Sequence, residues 1–171
     1  VVDDCSPKGF RINPRKSVQI SGLGSLRIFR LLQKKRWNWL ACRNLGAKFA
    51  STDWLLLTDI DHAIPVETLK SLLQEPMRPS YVYRLSRVDA PHPWPYTLRD
   101  CLVREKNGKN HMHPDTYLLT KKLFFDDRVG GYDERLSGCY GTSGEFRDRV
   151  MRAADAYQML SYPIVRYPRE I

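Results

Sequence analysis

Trp54-Leu55-Leu56-Leu57-Thr58-Asp59-Ile60-Asp61 sets the reading of the whole chain. A continuous apolar run without polar alternation is the pattern of a strand covered on both faces, as at the centre of an α/β sheet. The strand ends in two carboxylates one residue apart, at the edge of the sheet where ligands of such folds bind. Acids at i and i+2 suit a hard divalent cation, Mg²⁺ or Mn²⁺, held by one or two carboxylates together with substrate phosphates. The same acids also fit a purely structural role, capping the turn before Pro65.

On either side of this strand the periodicity alternates between strand and helix. Val1-Val2 reads as the end of a strand opening into a polar turn, and residues 26–32 as a second strand. Residues 37–50 are expected to be helical, with Leu40, Ala41, Leu45 and Phe49 on one face. Pro65 starts a short helix over 66–73, where its missing N–H costs nothing. Strands are expected at 81–88, 117–120 and 157–166, and helices at 121–125 and 144–154. Residues 89–114, with Pro91, Pro93, Pro95, Gly108 and Pro114, form a long irregular stretch, and loops of that length are functional or mobile. Trp94, within it, suits either stacking on a sugar ring or packing in the core.

The chain has 171 residues, 42% hydrophobic and 27% charged, which makes a single domain over 1–171 and excludes a disordered or collagen-like chain. No apolar run reaches the ~20 residues of a membrane span and no leader opens the sequence, so a cytoplasmic domain is expected. The net charge is +9, and it is lopsided: residues 1–53 carry 11 Lys or Arg against 3 acids. Such an excess points to an anionic partner: phosphate, nucleic acid or an anionic surface. Four widely spaced cysteines with no CxxC pair argue against a zinc ribbon and leave reduced, mostly buried thiols as the expectation. His111 and His113 read as loop residues rather than metal ligands.

Four blocks in order give the chain a resemblance to the GT-A glycosyltransferases, closest to inverting family 2. Val1-Val2-Asp3-Asp4-Cys5-Ser6 is similar to the family's "VVDDGS" turn, with Cys5 where Gly is usual. Ala41-Cys42-Arg43-Asn44-Leu45-Gly46-Ala47 resembles its "gaRNxG" helix, Leu57-Thr58-Asp59-Ile60-Asp61 its D-x-D strand, and Gly130-Gly131-Tyr132-Asp133-Glu134 its "GGYDE" block. The resemblance implies a Rossmann-like α/β fold with a mostly parallel central sheet flanked by helices. It implies a nucleotide-binding part over 1–64 and an acceptor-side part over 65–171. The family's strand and helix before "VVDDGS" are missing from the sequence as it stands.

The implied activity is metal-dependent transfer of a sugar from a nucleotide diphosphate donor, a UDP-sugar by family habit, to a hydroxyl of a glycan, lipid or protein acceptor. Asp3, Asp4, Arg43 and Asp59 would bind the donor nucleotide, and Asp59 and Asp61 the Mn²⁺ or Mg²⁺. Asp133, Glu134 and Trp94 would meet the acceptor or sugar. The family's catalytic base comes from a late "ED" pair that this sequence lacks. Glu145 is the first candidate for it and Asp148 the second. The rival reading is a basic, non-catalytic domain that holds nucleic acid or an anionic surface, and a third is a degenerate transferase that binds nucleotide without turnover. Nucleic acid is disfavoured, because charge alone does not explain a D-x-D at the end of a buried strand.

Overall fold

The computed structural model describes residues 2, 3, 5, 28–32, 35, 37–90, 111, 112, 115–139 and 141–167. Elements follow in the order β1 (Val2–Asp3), β2 (Phe29–Arg30), α1 (Trp39–Phe49), β3 (Trp54–Leu57), β4 (His62–Ala63) and α2 (Val66–Gln74). Then come β5 (Tyr81–Asp89), β6 (His111–Met112), β7 (Tyr117–Thr120), α3 (Lys121–Phe124), a 3₁₀ turn (Glu134–Leu136), α4 (Ser143–Ala153) and β8 (Ala156–Arg166). The strand–helix alternation is as expected, and β4 and β6 are additions that two-residue apolar patterns do not announce. Most of the irregular stretch over 89–114, Trp94 included, lies outside the described residues.

β3, β7, β5, β8 and β4 form one sheet in that order, with β6 paired to β5, while β1 and β2 make a separate parallel pair. The expected mostly parallel sheet is corrected here. Among the described pairings only β1 with β2 and β5 with β8 are parallel, and the other four are antiparallel. β3, β5 and β8 do share one direction, as helical crossovers demand. β7 inserts between β3 and β5 in the opposite sense, antiparallel to both. Leu57 therefore faces Tyr117, and the end of β3 abuts the start of β7.

Both faces of the sheet are covered, which is why β3 and β7 can be apolar throughout. On one side Leu40 and Ala47 of α1, Phe124 of α3, and Phe146 and Val150 of α4 pack on Leu55, Val82 and Leu119. On the other, Leu72 of α2 joins Tyr83, Leu85, Leu118 and Ile164. Full burial of each such side chain contributes about 1.5–3 kcal/mol. α1 departs from its expected face: Ala47 is buried, whereas Phe49 is 44% exposed and stacks on Phe29 with centroids 4.8 Å apart. Cys5, Cys42 and Cys139 are free thiols, but the expected burial is corrected: Cys5 and Cys42 are half-buried and Cys139 is exposed.

Candidate active site

Asp59 and Asp61 follow β3 at the edge the sequence pointed to. Arg43, one turn into α1, reaches across to them. Its Nη2 donates to Asp59 Oδ1 at 2.6 Å, while its Nη1 donates to the Asp115 carbonyl at 2.7 Å and to the Tyr132 hydroxyl at 2.8 Å. The guanidinium also lies 5.0 Å from the Trp39 ring centroid and 5.6 Å from that of Tyr132. Burial opposes its charge, but Tyr132, Asp59 and Asp115 outweigh burial and raise its pKa. The Tyr132 phenol is pushed well above its usual range, chiefly by burial. Both groups stay protonated at any working pH, so this junction is a fixed cationic strut.

Asp61 Oδ1 lies 2.7 Å from Nδ1 of the buried His62. Asp59, Asp61 and His62 each offer one ligand atom, and these lie within 4.8 Å of one another. Two carboxylates and an imidazole form a donor set that fits Mg²⁺ or Mn²⁺, with open positions left for phosphate or water. His62 was missed at the sequence level, although its signal was its adjacency to Asp61.

The second wall is tied to the same helix. Asn44 Nδ2 donates to the Tyr132 carbonyl at 2.8 Å and to Glu134 Oε1 at 2.9 Å, and its Oδ1 accepts from the Tyr132 amide at 2.8 Å. That clamp requires glycine at 131, where φ is +70° and an added Cβ would lie 2.7 Å from Asn44 Oδ1. Tyr132, so placed, stacks on Phe146 of α4 with centroids 3.8 Å apart. The Arg43-Asn44 pair thus joins the D-x-D strand to the Gly-Gly-Tyr turn.

The remaining candidates are dispersed. Glu145 is held by a two-pronged ion pair from Arg149, whose Nη1 also donates to the Gly131 carbonyl at 2.8 Å. Asp148 is exposed beside Arg147 at 3.3 Å. Asp133 caps the 3₁₀ turn and pairs with Arg135 at 2.7 Å. Asp3 lies 3.8 Å from Arg30, and Asp4 falls outside the described residues. A cavity of about 360 Å³ opens beside the junction, lined by Asn44, Lys48, Phe125, Gly130 and Glu134 among others, and the D-x-D acids are not part of its lining. Arg43, expected at a nucleotide, makes three hydrogen bonds inside the protein.

The model of glycosyl transferase family 2 matches residues 1–128, three quarters of the chain, and so includes α1, β3 and the acidic cluster. The chain belongs to glycosyl transferase family 2. Its fold is therefore GT-A, and its function is of the glycosyltransferase kind. A search of curated proteins finds no match. The family match stops before Gly130, so the clamp on Tyr132 and the α4 acids rest on geometry and on the resemblance. At the turn after β1, Cys5 occupies the family's glycine position with φ +78°, the left-handed region that favours glycine. Among the described residues no helix is long and apolar enough to cross a membrane.

Proposed function

We propose that this family 2 domain transfers a sugar from a UDP-sugar to an acceptor hydroxyl with inversion at the anomeric carbon. The observation that supports the reading is the Asp59-Asp61-His62 group at the end of β3, within the matched part of the chain. Asp59 and Asp61, with His62, would hold Mn²⁺ or Mg²⁺, and the bound ion supplies Lewis-acid neutralisation of the departing diphosphate. Arg43 fixes Asp59 in place, so its contribution to donor binding is made through that carboxylate. Asp3 and Asp4 face the nucleoside in this reading, and residues 1–64 form the donor half.

Glu145 is the proposed base, with Asp148 as its alternate. The acceptor oxygen gives its proton to the Glu145 carboxylate and forms a bond to the anomeric carbon. The bond from that carbon to the phosphate oxygen breaks with its electron pair on the nucleoside diphosphate. Arg149 anchors Glu145 to the carbonyl of Gly131, which orients the base relative to the Gly-Gly-Tyr turn. Asp133, Glu134 and Trp94 are assigned to the acceptor or sugar side.

Calorimetric titration of UDP, with Mn²⁺ and with EDTA, tests the donor site. Saturable binding that needs the metal and is lost in Asp61→Ala is expected. Binding that ignores Mn²⁺, or an Asp61→Ala variant that binds as well as the parent, refutes the assignment. Steeply salt-dependent affinity for nucleic acid with indifference to Mn²⁺ would establish the rival reading.

A further inference from the structure

α2 turns an apolar stripe to solvent. Its inner face is fixed to the sheet: Thr68 is buried and donates to the Pro163 carbonyl at 2.7 Å, and Leu72 packs with Tyr83, Leu85 and Ile164. On the other side Val66, Leu69 and Leu73 are 55%, 43% and 87% exposed. Their spacing at i, i+3 and i+7 puts all three on one face of the helix. Exposed apolar side chains gathered in a stripe mark an interaction surface, whereas ones scattered singly do not. Glu67 and Lys70 are exposed on the flank of the stripe, and among the described residues neither has an ion-pair partner.

We propose that this stripe packs on α2 of a second copy of the chain, antiparallel about a two-fold axis between Thr68 and Leu69. The proposal is independent of glycosyl transfer. Charge complementarity selects a second copy as the occupant. Such an axis sets the same flank of each helix against its mate, so Glu67 of one copy comes level with Lys70 of the other, and the pair occurs twice. In the same register Leu69 lies beside Leu69 of the second copy, and Val66 enters between its Leu69 and Leu73, as ridges of one helix fit the grooves of another. α2 has one acid and one base, so two chains of net charge +9 can meet here through a segment of no net charge. Both copies use the same surface, so association closes at a dimer. A nine-residue helix makes a small contact, and the dimer is a weak one.

Light scattering on the intact chain is expected to rise toward twice the 20.0 kDa chain mass as the concentration reaches about 100 µM. Leu73→Lys, at a position 87% exposed, puts an ammonium group into the seam and is expected to weaken the dimer at least about tenfold, with the fold unchanged by circular dichroism. Glu67→Lys opposes like charges and is expected to weaken the dimer about fivefold. Adding Lys70→Glu to that variant restores an opposite pair and is expected to recover most of the loss. Met151→Lys, exposed on α4, leaves the dimer intact. A chain that stays at one chain mass at that concentration, a dimer unmoved by Leu73→Lys, or a double variant no tighter than Glu67→Lys overturns the proposal. A monomer that binds phosphatidylserine vesicles and loses them in Leu73→Lys also overturns it, and assigns the stripe to a membrane surface.

Discussion

Arg43 and Arg135 hold their aspartates at nearly the same distance, 2.6 Å to Asp59 and 2.7 Å to Asp133, in opposite surroundings. The Arg43 side chain is 10% exposed and has two further acceptors and two aromatic rings around it, whereas the Arg135 side chain is 89% exposed and serves one neighbour two residues away. Equal geometry does not mean equal consequence. Water competes for every bond that Arg135 makes and screens its charge, while Arg43 itself and its partner Tyr132 are buried, and water has little access to either. The first pair organises the site, and the second decorates a turn. Arg43→Ala is therefore expected to cost about 3 kcal/mol of unfolding free energy in urea, because it strands the Tyr132 hydroxyl and the Asp115 carbonyl. Arg43→Lys keeps the charge but loses the fork, and is expected to recover only part of that loss. A variant within experimental error of the parent would break the contrast.

The same junction can be attacked from the backbone. Gly131→Ala forces a left-handed alanine and drives its methyl into Asn44 Oδ1, at an expected cost of about 2 kcal/mol. Both changes act on the placement of Tyr132, so the double variant is expected to fall short of the sum of the singles. Strict additivity would mean that the two walls are independent. Cys5→Gly carries the opposite sign. It relieves the left-handed cysteine and removes only a long contact from Sγ to the Leu32 carbonyl at 3.8 Å. A gain of about 1 kcal/mol in thermal or urea unfolding is expected.

These contrasts also mark what the sequence could and could not disclose. The Trp54–Leu57 run, the presence of α1 and the D-x-D edge are local signals, and local sequence carries them directly. The direction of β7 is not local, because it depends on the path of the chain between β5 and β7, where no period is present. Arg43 was expected to bind the donor nucleotide from the resemblance of its helix, and only three-dimensional packing shows its bonds to Asp59, Tyr132 and the Asp115 carbonyl. His62 could have been found from its place beside Asp61. Nothing in a string of letters announces the Arg149 anchor on Glu145 and Gly131, although the i, i+4 spacing of the pair was visible.

The smallest effect tests the exposed side of the comparison. Hydrogen bonds from Arg135 lower the Asp133 carboxyl from 3.8 to about 2, and those from Arg128 do the same for Asp126. Both groups are more acidic folded than unfolded, so their pairs favour the fold above pH 3.8 and cease to do so as pH falls through about 2. Arg135→Ala is expected to return the Asp133 midpoint, followed by carboxyl NMR, toward 3.8. By the same linkage, stability at neutral pH should fall, though by much less than in Arg43→Ala, because water screens an exposed pair. The Arg43 variants should lose stability across the whole accessible pH range because neither Arg43 nor Tyr132 titrates within it. A stability loss in Arg135→Ala as large as that in Arg43→Ala would show that the 3₁₀ turn carries load in the site, and that exposure alone does not separate the two pairs.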